Sequence, residues 1–84
     1  MTGFAPIARV FPLAFLPEGA QGVVREIRGG LNARRRLYEL GLTEGTLVRV
    51  VRSMGPGPIV VEVRGARIAL GRGVSMKVLV EVMG

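Results

Sequence analysis

Residues 29–45 read GGLNARRRLYELGLTEG. This is the one good helical pattern in a chain otherwise built of short strand-like runs. Ala33, Leu37 and Leu40 recur at helical spacing and predict a helix over about residues 32–41 with one apolar face. Arg34, Arg35, Arg36 and Glu39 fall on the other side. Asn32 is placed to cap the helix, because its side-chain oxygen can accept from the free N–H groups of the first turn. Gly41 is placed to end it in the left-handed conformation, with Leu42 folding back on Leu37. Leu37, Leu40 and Leu42 are therefore candidate core residues. Arg35 and Glu39 stand four apart in the less favourable order, so their pairing adds at most a few tenths of a kcal/mol.

Outward from this helix the pattern changes to strands. Residues 20–28 predict a first strand. Val23, Val24 and Ile27 keep no single alternation, which predicts a bulge or strong twist. Residues 46–54 predict a second strand, and Gly55, Pro56, Gly57 and Pro58 a loop. Residues 59–64 alternate cleanly and predict a third strand, with a tight turn at Gly65 and Ala66. Residues 67–71 predict a fourth strand, with Ile68 and Leu70 inward. A connector through Ser75, with one 3₁₀ turn, leads to a last strand over residues 76–83. Five short strands with one inserted helix predict a small, strongly bent barrel.

Residues 1–12, MTGFAPIARVFP, form a separate N-terminal arm in this reading, with the domain proper over residues 13–84. Prolines 6, 12 and 17 impose extended or turn backbone on their predecessors. Yet Phe4, Phe11 and Phe15, the only phenylalanines of the chain, lie in or beside the arm. Disordered tails are poor in aromatics. The arm is thus expected to pack across the outer face of the barrel or between subunits. Val60, Leu79 and Met83 fall on that outer face.

Composition limits the chemistry. There is no cysteine and no histidine, and all six acidic residues are Glu. Thiol catalysis, disulfides and iron–sulfur ligation are excluded, and the commonest general base is missing. A hydrolase triad or a zinc site of the usual type cannot be assembled. A hard-metal site of Glu and carbonyl oxygens remains open, but no spacing marks one. No catalytic, cofactor-binding or metal-binding residues are therefore assigned. The Gly71-Arg72-Gly73 and Gly55-Pro56-Gly57 pieces are not read as phosphate loops, because neither Gly-Lys-Ser/Thr nor a helix start is expected after them. Eleven Arg and one Lys give a net charge of +6. That suits an anionic partner or an ordinary solvated surface, and scatter along the chain favours the second. No apolar run reaches the ~18 residues of a membrane span. Residues 10–16 lack the basic flank and cleavage site of a signal peptide. A cytoplasmic protein without membrane insertion is expected.

The segment from Arg36 to Gly45, RLYELGLTEG, is followed by PIVVEV at residues 58–63 and IALGR at residues 68–72. Together these resemble the FeoA domain, whose pattern runs roughly RRL-x-ELG-(L/M)-x-PG, then a valine-rich strand, a G-x-P loop and a strand ending in ALR. Leu16, Pro17, Glu18 and Gly19 are similar to that family's L-x-PG start. The resemblance covers about residues 13–83. It departs at Glu44, where proline is usual, in the loop from Met54 to Pro58, and at Gly71.

The resemblance implies a mainly β, SH3-like barrel with one inserted helix. It implies a small cytosolic accessory protein of bacterial ferrous iron transport. The implied partner is the membrane ferrous iron permease with its GTPase domain. A similar barrel closes some metal-dependent repressors, where it packs against a proline-rich segment. Loops on a rigid scaffold usually carry binding. The candidate partner-binding residues are accordingly Arg34, Arg35, Tyr38 and Glu39 on the helix, and Pro56 and Gly57 on the loop. Alternatively, Arg36 lays its stem along the barrel and Tyr38 only packs. An RNA-binding SH3-like barrel is the alternative function, weakened because only Tyr38 could stack beside the basic cluster.

Overall fold

The computed structural model describes residues 9–83. One antiparallel sheet holds six strands: β1 (Val10–Pro12), β2 (Gln21–Ile27), β3 (Leu47–Arg52), β4 (Ile59–Val63), β5 (Ala66–Leu70) and β6 (Val78–Val82). Their order across the sheet is β1-β6-β2-β3-β4-β5. The helix α1 (Leu31–Glu39) lies between β2 and β3, and a single α-helical turn, α2 (Arg72–Ser75), starts directly after Gly71, where the sequence predicts a connector with a 3₁₀ turn and no helix start, and precedes β6. No helix among the described residues is long and apolar enough to cross a membrane.

The sheet bends around one core. Val24, Ile27, Val48, Val50, Ile59, Val61, Val63, Leu70, Val78 and Val80 fill it from the strands. Leu37 and Leu42 enter from α1 and the turn after it, and Leu13 and Leu16 from the 3₁₀ turn Leu13–Phe15 and its end. The strands alternate as a half-buried sheet requires, with β4 inward at Ile59, Val61 and Val63. Val24 and Ile27 are both buried despite their odd spacing. The expected bulge explains it: the β2–β6 register shifts between Val24 and Glu26. The extra residue, Arg25, lets the face flip. A second shift in β3, between Val50 and Arg52, bends the β3–β4 hairpin.

α1 ends as its sequence predicts. Gly41 stands at φ +95°. The Leu42 amide donates to the Leu37 carbonyl at 2.9 Å and the Gly41 amide to Tyr38 at 2.9 Å. That pair of bonds defines the Schellman ending. The start differs from expectation. Gly30 is the N-cap, in extended conformation and without a side-chain bond, and Asn32 lies inside the first turn. Leu40 also differs. It is the C-cap, still in helical conformation, and is 44% exposed rather than in the core.

Three further differences are local. The β4–β5 turn is Arg64-Gly65, not Gly65-Ala66, because Val63 pairs with Ala66. Both turn residues have positive φ, +53° and +84°, as a type I′ hairpin demands. Met76 caps α2 rather than opening the last strand, and is exposed. The sheet also has six strands rather than about five. Val10, Phe11 and Pro12 pair with Glu81, Val80 and Leu79, so the end of the expected arm is an edge strand. The expectation for residues 1–8, Phe4 included, lies outside the described residues. Phe11 and Phe15 are both exposed.

Deleting residues 1–12 strips β1 from β6. The expected loss is about 1–3 kcal/mol, because edge hydrogen bonds vanish and the β6 edge is bared. Thermal unfolding of the truncated and full chains measures it. An unchanged melting temperature would show that β1 contributes nothing.

Candidate functional site

The outward face of α1 carries Arg34, Arg35, Tyr38 and Glu39, all exposed. Tyr38 donates its hydroxyl to Glu44 Oε2 at 3.2 Å, which ties the helix to the turn that follows it. The Arg34 guanidinium is held above its ordinary pKa, first by the Tyr38 hydroxyl beside it and then by the Glu44 carboxylate. Tyr38 and Glu44 are thus joined by one exposed hydrogen bond, with Arg34 beside them. Glu44 replaces the proline usual in the resembled pattern, and this partnership is its structural role. Arg35 and Glu39 form no ion pair with each other or with other described residues.

Pro56 and Gly57 lie in the exposed loop between β3 and β4. Arg72 organises that loop from α2. Its Nε donates to the Gly57 carbonyl at 3.0 Å, and Nη2 to the carbonyls of Ser53 at 2.5 Å and Gly55 at 2.7 Å. Glu18 Oε2 accepts from the Ser53 amide at 3.1 Å. A loop of glycine and proline is thus held in one shape by an arginine fork, whose planar donors suit several carbonyls at once. Sequence reasoning missed both Arg72 and Glu18, since nothing local links them to residues 53–57. Replacing Arg72 by Ala is expected to cost about 1–2 kcal/mol, since the fork gives up bonds at a partly exposed site. It is also expected to speed amide exchange across residues 53–57. Exchange unaltered there would show that the loop holds its shape without the fork.

The two candidate groups are not brought together. Residues 53–58 form the tip of the β3–β4 hairpin. Tyr38 and Glu44 stand near its base, where Arg64 donates to Thr46 Oγ1 at 3.4 Å. A broad polar groove of about 770 Å³ also opens at that base, lined by Thr43, Glu44, Thr46, Arg49, Glu62 and Arg64 among others. Its charges are partly satisfied internally, since Arg49 and Glu62 pair at 3.1 Å. A smaller, more apolar cleft of about 210 Å³ lies between α1, β5 and α2. Among the described residues no group of three or more Glu could hold a metal ion.

The comparisons with known proteins agree with this architecture. A family model described as the FeoA domain matches residues 11–82. A Methanocaldococcus jannaschii protein, whose name provisionally assigns it as Fe(2+) transport protein A, is 39% identical over 72 residues. The match covers 86% of this chain and 87% of that one. The crystal structure of an iron uptake regulatory protein, FeoA, superposes with a TM-score of 0.85 at 40% identity, over 88% of this chain and 99% of the other. Stenotrophomonas maltophilia FeoA, solved in complex with zinc and described as a procaryotic SH3 domain protein, superposes with a TM-score of 0.72 at 35% identity, over 82% and 87%. The six-stranded sheet with its inserted helix is an SH3-like barrel. With the model spanning all but the chain's ends, and relatives near 40% identity over most of their length, this chain belongs to the FeoA domain family.

Proposed function

We propose that this chain is a small accessory protein of ferrous iron transport, acting as a protein-interaction module on a membrane iron permease that carries a cytosolic GTPase domain. The observation that carries the reading is the family match over residues 11–82, with relatives named for Fe(2+) transport and iron uptake. The S. maltophilia relative is itself proposed to be a ferrous iron transport activating factor. The surface is consistent with docking: an exposed helix face with the Tyr38–Glu44 bond and Arg34 beside it, and a loop held by Arg72. The working place of such a module is the cytoplasmic face of the membrane. RNA binding is not favoured, since Tyr38 is the single aromatic on the arginine-bearing helix α1, whereas nucleic-acid grooves pair basic residues with several stacking aromatics.

The test is retention of the permease's cytosolic domain on the immobilised full chain, with and without guanine nucleotide. Retention of wild type is expected, with loss on the double change Arg34→Glu and Arg35→Glu. Neither side chain is buried, so the fold should survive the change. No retention under any nucleotide condition, together with tight and salt-sensitive RNA binding, would overturn the reading.

A further inference from the structure

The cleft between α1, β5 and α2 belongs to neither candidate group above. Its walls are Ala33, Leu37, Leu40, Ala69, Leu70 and Val74. Leu40 and Val74 are 44% and 40% exposed, so two apolar side chains stand at its mouth without cover. Arg36 and Lys77 also line it, and no acidic residue does. Neither cation forms an ion pair with another described residue. The lysine stem is held in place. A Cβ built on Gly29 would lie 3.2 Å from Lys77 Cδ and 3.5 Å from the Ala33 Cβ, which puts that stem against the start of α1. The Arg28 amide donates to the Lys77 carbonyl at 2.8 Å and fixes the backbone there.

The cleft therefore combines an apolar floor with two uncompensated positive charges. Its volume of about 210 Å³ is of the order that takes one side chain, since an apolar cavity of about 150 Å³ holds benzene. No aromatic residue lines it, so it offers no platform for a base. It is concave, whereas a lipid surface is met by a flat or convex apolar face.

We propose that the cleft binds an acidic–apolar peptide segment of the docking partner, with one aliphatic side chain on the Leu37–Leu70 floor and a carboxylate on Arg36 and Lys77. The proposal rests on the docking reading and adds the chemistry of what is docked. A charge-assisted bond to each cation orients the peptide, and the buried aliphatic group supplies the affinity.

The probes are three end-blocked peptides: Glu-Glu-Ala-Leu-Glu-Glu, its Ser-for-Leu variant, and its all-Lys counterpart. Each is titrated into the full chain and followed by amide NMR, with neutral and anionic phospholipid vesicles in parallel. The Glu–Leu peptide is expected to shift the amides of Ala33, Leu40, Gly71, Val74 and Lys77. The Ser and Lys versions are expected to bind about tenfold or more weakly, as does the Arg36→Glu/Lys77→Glu variant. Both charges are on exposed side chains, and the variant's unfolding curve checks its fold. As a second variant, Ala69→Leu fills the cleft without altering charge and is expected to block the same shifts. Shifts located elsewhere, no shifts, equal binding of the Lys peptide, or a preference for anionic vesicles over peptide would each overturn the proposal. The two readings also part cleanly. Permease retention that survives Arg36→Glu/Lys77→Glu removes this cleft and keeps the docking module. Peptide binding without permease retention does the reverse.

Discussion

Replacing Leu42 by Ala is expected to lower stability by about 2–5 kcal/mol, the range for deleting a fully buried leucine. Leu42 is 0% exposed and lies in the same core cluster as Leu37. Its amide also closes the helix by donating to the Leu37 carbonyl. The backbone bond survives the change, so the loss reports the side chain alone. It reports how firmly the end of α1 is fastened to the barrel. In a domain of this size each kcal/mol moves the melting temperature by about 4–8 °C. Total stability is only about 5–15 kcal/mol, so the variant should be near the limit of folding at ambient temperature. A calorimetric loss below about 1 kcal/mol would mean that Leu42 is not packed as described. Leu40→Ala is the matched control. Leu40 has the same chemistry two residues earlier, but it is 44% exposed. A loss of about 1 kcal/mol or less is expected there.

The second large effect is expected at Gly22. A Cβ placed there would lie 2.8 Å from the Glu81 carbonyl oxygen and 3.3 Å from the Val80 Cβ. The nearer obstacle is backbone, so no side-chain movement relieves it. Gly22 sits in the centre of the sheet, paired with Val48 on one side and Val82 on the other. A methyl group must push β6 away from β2. Overpacking of this kind costs about 1–3 kcal/mol, and Gly22→Val should exceed Gly22→Ala. Gly73→Ala is the contrast. A Cβ at Gly73 meets nothing within 4 Å, and alanine is the better helix former. That variant should be neutral or slightly stabilised. Urea unfolding midpoints of the three variants measure the difference. Equal midpoints for Gly22→Val and wild type would show that β2 and β6 are further apart than described.

These residues also show how far sequence can be read. Gly41 and Leu42 were legible because a helix ending is local chemistry, set within one turn. The bulge at Arg25 was legible because Val24 and Ile27 cannot share a face without it. Asn32 was misread because the chain already enters the helix at Leu31, so Gly30 takes the capping place with its backbone alone. Leu40 fitted the apolar spacing and shares a face with Ala33 and Leu37, but it stands at the mouth of the cleft beside Val74, half uncovered among the described residues. β1 was not legible: three residues ending in proline become a strand only beside β6, near the far end of the chain. Gly22 carried no signal, because its reason is a carbonyl in another strand.

The candidate interaction residues follow the same division. Arg34, Arg35, Tyr38 and Glu39 were legible as one exposed face because helical periodicity alone groups them. That Tyr38 is joined to Glu44 could not be read, since it depends on how the chain turns at Gly41. For the loop, glycine and proline signalled Pro56 and Gly57. Its rigidity comes from Arg72 and Glu18, which only the folded chain brings to it.

The most direct test of a docking module is an amide NMR titration of the full chain with the permease's cytosolic domain. Docking through α1 and its neighbours predicts shifts and broadening at residues 33–40, in the loop at residues 53–58, or at residues 71–77, with the core amides of Val48, Val50 and Val61 unmoved. A titration carried to excess without any shift, or shifts confined to the β1–β6 edge, would contradict it.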